Sequence, residues 1–243
     1  MLPQWISVAL TFVLAGAVKG VTGMGLPTVS MGVLGLLMTP SQAATLLIIP
    51  SFVTNVWQFA AGPNRLLMVR RVWPMLLAIS IATASCAGLM IGGNIATAAL
   101  GVALIAYATI GLAKFQLSIA RRAEPWLSPL IGATTGAVTG ATGVFVIPGV
   151  PYLQALGLAK DDLVQALGLS FTVSTVALAV GLASRGAFHG NSGVASLLCT
   201  VPALAGMQAG QWVRNRVNPS TFRLWFFIGL LLLGADLAVR PLT

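Results

Sequence analysis

Two of the long apolar stretches in this chain are interrupted by clusters of glycines. The first interruption runs from Gly16 to Pro27 and contains four glycines and the only lysine of the first 113 residues. The second runs from Gly132 to Gly143 and is followed by Pro148. Glycine weakens a helix and proline removes a backbone donor, so both stretches predict helices that break inside apolar surroundings. Paired breaks of this kind are typical of a transporter's substrate site.

The other apolar runs predict helices that follow the same order in both halves of the chain. A short limb follows each break, and the first limb is too short to cross about 30 Å of hydrocarbon, which takes about 20 helical residues. The segment Thr39-Pro-Ser-Gln42 is a helix-start signal, because proline suits the first turn and threonine caps it. The predicted segments are 5–21, 28–38, 43–61, 72–91, 96–115, 126–142, 144–158, 163–183, 194–213 and 222–239.

The two halves align as a repeat, with Gly16 falling on Gly132 and Gly20 on Gly136. The shared order of a break, a short limb and three spans supports the repeat more strongly than the identities, which are few. We therefore predict an all-α polytopic membrane protein built from two pseudo-symmetric, inverted repeats. The predicted divisions are residues 1–117, a cytoplasmic linker at 118–126, and residues 127–243.

Basic residues decide between two topologies for the broken segments. If each broken segment is a hairpin that returns to its own side, ten basic residues share one side, Arg185 and Arg240 lie opposite, and Lys19 lies at the break. If each broken segment crosses once, the basic residues divide eight against four. The positive-inside rule favours the first division, with both termini outside the cytoplasm. The ten residues predicted to face the cytoplasm are Arg65, Arg70, Arg71, Lys114, Arg121, Arg122, Lys160, Arg214, Arg216 and Arg223.

Composition narrows the class of protein. Of the 243 residues, 57% are hydrophobic and 7% are charged, with a mean hydropathy of +0.95, whereas soluble domains carry about 25% charged residues. The net charge of +9 lies mainly between apolar runs, which indicates topology and contacts with anionic lipid rather than nucleic-acid binding. Cys86 and Cys199 lack the spacing of a metal or disulfide site, so no metal or cofactor is predicted. We expect a multi-pass protein of the plasma membrane, specifically a bacterial inner membrane.

The glycine motif and its repeat resemble the sulfite exporter TauE/SafE family of membrane transporters. The resemblance rests on Lys19-Gly-Val-Thr-Gly-Met-Gly25 through Asn55, and on Gly136 through Gly143 to Pro148, and it extends over nearly the whole chain. It implies two membrane repeats and the export or uptake of small sulfur-containing or organic anions such as sulfite, sulfoacetate or thiosulfate. The chain departs from the family pattern where Pro27 follows Gly25 after only two positions.

Lys19 is the first candidate for binding a substrate. A charge inside a membrane costs about 2.5–3.5 kcal/mol on insertion scales and usually faces a partner or a water-filled cavity. No acidic residue lies near Lys19 in the sequence. At the tip of a hairpin its ammonium could hold an anion, helped by N–H groups at the half-helix ends. The alternative is that the first segment spans fully and that Lys19 extends to the far interface.

Small and hydroxylated residues at the breaks complete the predicted substrate site. The glycines either expose backbone donors to an oxyanion or allow close helix packing, and the two roles are compatible. The threonines either bind the substrate or satisfy backbone groups that the breaks set free. Besides Lys19, the predicted substrate-binding residues are Gly20, Thr22, Gly23, Gly25, Asn55, Thr135, Gly136, Thr139, Gly140 and Gly143.

A polar stripe on the second span is predicted to line the pathway. Ser51, Asn55 and Gln58 share one helix face, and Ser170 and Ser174 do the same in the later half. The alternative is that these side chains join helices through hydrogen bonds, each worth about 0.6 kcal/mol in a membrane.

Motifs that the sequence lacks limit the mechanism. Without a Gly-x-x-x-x-Gly-Lys-Ser/Thr loop the chain is not itself an ATP-driven pump. The acids Glu124, Asp161, Asp162 and Asp236 lie in loops or near span ends, so a proton relay in mid-membrane is not expected. His189 has neither a cysteine nor an acid nearby, so an enzyme is not expected either.

These observations predict a facilitated exporter of a small anion that acts within the lipid bilayer. An anion channel and a non-transporting membrane interaction subunit are the alternatives. The identity of the anion, import against export, and assembly into a homo-oligomer stay open.

Overall fold

The computed structural model describes residues 2–113, 118–187, 190–214 and 216–240. Lys114, His189 and the predicted division at residue 117 lie outside these ranges. Within them the chain forms ten α-helices, one 3₁₀ helix and no strand. The α-helices are α1 (Leu2–Thr22), α2 (Leu26–Leu34), α3 (Pro40–Ala61), α4 (Arg65–Cys86), α5 (Asn94–Leu112), α6 (Glu124–Thr142), α7 (Gly149–Ala155), α8 (Lys160–Ala183), α9 (Gly190–Arg214) and α10 (Pro219–Val239), and the 3₁₀ helix Ala87–Ile91 extends α4.

Seven of the described helices are long and apolar enough to cross a membrane, namely α1, α3, α4 with its 3₁₀ extension, α5, α8, α9 and α10. Helices α2 and α7, with nine and seven residues, are too short to do so. The prediction of an all-α polytopic membrane protein is confirmed.

The predicted start of α3 forms a capping box. The hydroxyl of Thr39 accepts a hydrogen bond from the backbone N–H of Gln42 at 3.4 Å, and the side chain of Gln42 accepts one from the backbone N–H of Thr39 at 3.1 Å. Two backbone donors that the helix itself leaves unpaired are thereby satisfied.

Replacing Thr39 with alanine is expected to lower the free energy of unfolding by about 1 kcal/mol, because the cap is lost. Thermal unfolding of detergent-solubilised protein, followed by circular dichroism, measures the change. Thr134→Ala is the matched control, since the exposed Thr134 hydroxyl bonds only to carbonyls of its own helix. Equal unfolding temperatures for the two variants would contradict the capping role.

Arg65, Arg70 and Arg71 fall between the predicted segments 43–61 and 72–91, which assigns them to a loop, and this prediction is wrong. Helix α4 begins at Arg65, seven residues before the predicted start of the span at 72. Arginine is a good helix former, and its long stem lets the charge reach water from the first turns of a membrane helix. The limb predicted at 144–158 is also shorter in the structure, where α7 covers only Gly149–Ala155.

Helix α1 packs along α9, and the two helices run parallel. A Cβ added at Gly16 would overlap the carbonyl oxygen of Ala203, and one added at Gly20 would overlap the carbonyl oxygen of Met207. A Cβ at Gly210 of α9 would overlap the backbone of α1 in the same way. Small residues on both helices therefore allow their backbones to approach closely.

Helix α6 packs along α4 in the same parallel manner. A Cβ added at Gly132 would overlap the carbonyl oxygen of Met75, and one added at Gly140 would lie 2.7 Å from that of Thr83. The glycines of the second break thus pack α6 against the first half of the chain, as those of the first break pack α1 against the second half.

Helices α3 and α8 run antiparallel. The hydroxyl of Thr175 donates to that of Ser51 at 3.3 Å, and the side chain of Gln165 donates to the carbonyl of Phe59 at 2.9 Å. Helices α5 and α10 are antiparallel as well, because a Cβ at Gly111 would overlap the ring of Phe227, whereas one at Gly101, ten residues earlier, would overlap the backbone of Ala238.

The helix pairings that join the two halves of the chain are related by an exchange of the halves. Each helix of the first half, α1 to α5, can be exchanged in order with its counterpart in the second half, α6 to α10. Under this exchange the pair of α1 with α9 becomes the pair of α6 with α4, and the pair of α4 with α8 becomes the pair of α9 with α3. The pairs α3–α8 and α5–α10 map onto themselves under this exchange.

The helix directions give the molecule a basic face, defined as the face where α3, α5 and α9 end and α4, α6, α8 and α10 begin. Contacts between these ends include the hydrogen bond of Asn64 to Asp162 at 2.8 Å and the ion pair of Arg71 with Glu124 at 2.7 Å. Nine of the ten predicted cytoplasmic basic residues lie in these helix ends or in the turns beside them, and the tenth, Lys114, is not described.

Candidate functional site

The first break is a change of direction between α1 and α2. Gly23 and Gly25 adopt left-handed backbone angles, with φ of 77° and 105°, a conformation that strongly favours glycine. Beyond the break, α2 passes from Phe226 to Leu237 of α10 and so runs away from the basic face that α1 approached. The two limbs therefore form a hairpin whose tip points toward the basic face.

The second break repeats this arrangement from the opposite direction. Gly143 is left-handed, with φ of 72°. Helix α7 then runs back along α6, since the hydroxyls of Ser128 and Tyr152 are hydrogen-bonded at 2.6 Å. At the far end, Arg71 donates to the carbonyl of Leu156 at 3.2 Å, which returns the chain to the basic face.

Lys19 lies three residues before the end of α1 and is almost completely buried, with 3% of its surface exposed. Its ammonium donates to the hydroxyl of Thr54 at 3.1 Å and to the side-chain oxygen of Asn55. In the described chain, the ion pairs within 4 Å are those of Arg71 with Glu124 and Arg240 with Asp236, so no carboxylate neutralises Lys19 there.

A chain of neutral polar groups extends from Lys19 to the second half of the protein. The side-chain nitrogen of Asn55 donates to the hydroxyl of Ser51 at 3.0 Å, and that hydroxyl also accepts from Thr175 of α8 at 3.3 Å. The structure thus joins α1, α3 and α8 through side chains that are all buried. Three residues predicted from the sequence, Lys19, Asn55 and Ser51, are brought together here.

Comparison with protein-family models gives a match to the sulfite exporter TauE/SafE family over residues 8–237. The chain belongs to the sulfite exporter TauE/SafE family. The match includes both breaks and covers most or all of each of the seven candidate membrane spans. No curated protein and no solved structure matches the chain.

Membership in the TauE/SafE family implies the role of a membrane transporter that exports sulfite or a related anion. Because this is a family of membrane transporters, membership supports the expectations that the protein crosses the membrane several times and is not an enzyme. The four carboxylates of this TauE/SafE protein all lie at or near helix ends, as expected from the sequence, with Glu124 and Asp236 held in ion pairs.

The threonines at the breaks of this TauE/SafE protein bond to backbone groups. Thr22 donates to the carbonyl of Met24 at 2.6 Å and accepts from its N–H at 3.2 Å. Thr142 donates to the carbonyl of Val138 and accepts from the N–H of Val144, while Thr135 and Thr139 donate to carbonyls within α6. The bonds of Thr22 to Met24 and of Thr142 to Val144 correspond to the alternative role, in which threonine satisfies backbone groups freed by the break, whereas Thr135 bonds to a carbonyl inside α6.

The predicted glycines of the TauE/SafE site divide into two groups. Gly20, Gly136 and Gly140 lie where a Cβ would meet the backbone of the neighbouring helix, which is the packing role. Gly23, Gly25 and Gly143 hold left-handed turns.

Some polar residues of this TauE/SafE protein connect helices near the basic face. Gln58 donates to the carbonyl of Val164 at 2.9 Å, the alternative role considered for it. Gln165, which the sequence analysis missed, bonds both Phe59 and Asn64 across the same helix pair. Thr54 was missed as well, although its position three residues after Ser51 places it on the edge of the polar stripe.

Two predicted pathway residues of the TauE/SafE protein are buried without a hydrogen-bond partner in the described structure. These are Ser170 and Ser174, which lie one helical turn apart on α8, and the hydroxyls of Thr28, Ser30 and Thr83 share this property. A buried hydroxyl without a partner costs free energy, about 1–3 kcal/mol.

Proposed function

We propose that this protein is a secondary transporter that carries a small sulfur-containing or organic anion, of the class of sulfite, sulfoacetate or thiosulfate, out of the cell. The observation that supports this function is Lys19, a buried lysine whose described partners are neutral oxygens of Thr54 and Asn55. An ammonium has three N–H donors, and two of them are used in these bonds. The third is available to an anion that would also neutralise the charge.

The proposed transport site lies between the two breaks and includes the polar chain from Lys19 to Thr175. The exchange of helix pairs between the halves, together with antiparallel α3 and α8, supports inverted repeats, the architecture in which substrate binds near the membrane centre at the repeat interface. The concentration of arginine and lysine on the basic face supports a cytoplasmic position for that face and for the linker 118–126.

Export of a monovalent anion needs no second ion in this proposal. An inside-negative potential supplies about 2.3 kcal/mol per elementary charge for each 100 mV, which drives the anion outward. The four carboxylates lie at or near helix ends, and none of the described ion pairs includes Lys19, which agrees with transport that is not coupled to a proton relay.

Flux of radiolabelled sulfite in proteoliposomes tests the proposed function. A carrier is expected to give saturable flux that follows an imposed potential, and unlabelled sulfite on the opposite side is expected to accelerate exchange of the label. Flux that stays proportional to concentration and shows no such acceleration would identify a channel instead. Flux equal to that of protein-free liposomes, for sulfite, sulfoacetate and thiosulfate alike, would contradict the proposal.

A further inference from the structure

A cavity of about 860 Å³ opens near the basic face and is lined by both broken segments. Thr22 and Met24 contribute from the first break, and Pro148 and Gln154 from the second break and α7. The end of α5 and the start of α10 complete the wall, largely with aromatic and aliphatic side chains. A sulfite ion is far smaller than this volume, which is in the range of cavities that hold drug-sized ligands. The cavity is therefore roomy enough for a hydrated anion to enter and move.

Among the described residues that line the cavity, Arg223 is the charged one and none is a carboxylate. Its guanidinium donates to the carbonyl of Gly111 at 2.5 Å, a bond that ties the start of α10 to the end of α5 and orients the side chain. The ring of Phe227 lies 5.8 Å from the guanidinium carbon. A guanidinium has several N–H donors in a planar fork that matches carboxylate and similar oxyanions, and the bond to Gly111 uses one donor of a residue that lines the cavity.

The cavity ends close to Lys19 without reaching it. Val21 and Thr22 line the cavity, whereas Lys19 lies three residues earlier on the same helix, about 4.5 Å along its axis. Lys19 itself does not line the cavity, because 3% of its surface is exposed and its ammonium is bonded to Thr54 and Asn55 of α3.

We propose that this cavity is the vestibule through which the anion reaches Lys19 from the basic face, and that Arg223 is a second anion-binding residue that collects small oxyanions there. The inference rests on the proposed function and deepens it. A cleft with charge of one sign and low-dielectric walls concentrates counter-ions and raises association rates by about 10- to 1,000-fold. Arg223 thus acts on capture of the anion, and Lys19 on its passage.

Thiol chemistry tests the vestibule without requiring transport. Gln154 is exposed and lines the cavity, so a cysteine is placed there as Gln154→Cys in a background in which Cys86 and Cys199 are replaced by alanine. Two methanethiosulfonate reagents are applied from the basic face, one bearing a sulfonate and the other a trimethylammonium, and each rate is divided by its rate with a free thiol. The normalised ratio of anionic to cationic reagent is expected to fall about tenfold when Arg223→Gln is added.

Two further variants control for charge and folding. Arg122→Gln removes an exposed arginine of the basic face that does not line the cavity, and the ratio is expected to stay unchanged. Arg223→Lys keeps the charge and is expected to retain most of the ratio. Equal ratios in Arg223→Gln and Arg122→Gln, or no reaction of the cysteine from the basic face, would overturn the inference.

Sulfite flux separates failure of the vestibule from failure of transport. In proteoliposomes, Arg223→Gln is expected to raise the KM for sulfite presented at the basic face about tenfold and to leave the maximal rate unchanged. Flux with a normal KM in Arg223→Gln would remove the vestibule and keep the transporter. A reagent ratio that depends on Arg223, in a protein without flux of any of the three anions, would keep the anion-collecting cavity and remove the transport function.

Discussion

Replacing Lys19 with glutamine is expected to reduce saturable sulfite flux about a hundredfold. Removing one partner of a buried, charge-assisted contact costs roughly 2–5 kcal/mol, and about 3 kcal/mol corresponds to that factor. Glutamine has a similar length and still hydrogen-bonds, so the neighbouring Thr54 and Asn55 keep a polar partner. The measurement is the initial rate of radiolabelled sulfite flux in proteoliposomes at an imposed potential.

The same variant is expected to unfold at a temperature equal to or higher than that of the wild type. The ammonium of Lys19 is buried with neutral partners, and an uncompensated buried charge destabilises the fold. Loss of transport combined with unchanged or increased stability is a signature that a purely structural lysine would not produce.

Lys160→Gln is the matched control, because Lys160 is exposed at the start of α8 on the basic face. It is expected to transport at nearly the wild-type rate. Equal flux in Lys19→Gln and Lys160→Gln would exclude Lys19 from the transport step and move the site to the hydroxyls of Ser170 and Ser174.

Replacing Gly16 with alanine is expected to lower the free energy of unfolding by about 1–3 kcal/mol. The added Cβ would overlap the carbonyl oxygen of Ala203 in α9. Because this oxygen belongs to the helix backbone, it cannot move aside as a flexible side chain can. Helices α1 and α9 must then separate, and close packing along most of both helices is lost. Thermal unfolding in detergent and the yield of monodisperse protein measure the effect.

Gly229→Ala provides the opposite expectation within the same chain. A Cβ at Gly229 of α10 would meet no atom within 4 Å, and alanine favours a helix over glycine by up to about 1 kcal/mol. This variant is expected to be as stable as the wild type or slightly more stable. If Gly16→Ala and Gly229→Ala unfolded alike, the close approach of α1 and α9 would not be important for stability.

The pattern of apolar runs and glycines predicted the helices and both breaks well, because membrane length and backbone satisfaction act on local sequence. Helix ends were less accurate at α4, where Arg65, Arg70 and Arg71 were assigned to a loop. Charge usually indicates a loop between spans, but the long stem of arginine reaches water from inside the first turns of a helix.

The candidate site was predicted in part. Lys19 was recognised from its isolated charge, and Asn55 and Ser51 from their helical spacing, and the structure brings these three residues together. The pairing of α1 with α9 depends on surfaces distant in sequence, so the packing role of Gly20 was only one of two alternatives. Arg223 was assigned to topology alone, since nothing in the sequence places it beside Thr22 and Gln154 in one cavity.

The close packing of α1 along α9, and of α6 along α4, has a consequence for how the protein moves. Each broken helix is fastened to a helix from the opposite half of the sequence, so the linker near residue 118 does not separate two mechanical units. In the proposed transport cycle, a movement that exposes Lys19 would carry α1 and α9 together relative to their counterparts α6 and α4. The two halves therefore form a single helical bundle, and neither half is expected to fold and transport when expressed alone.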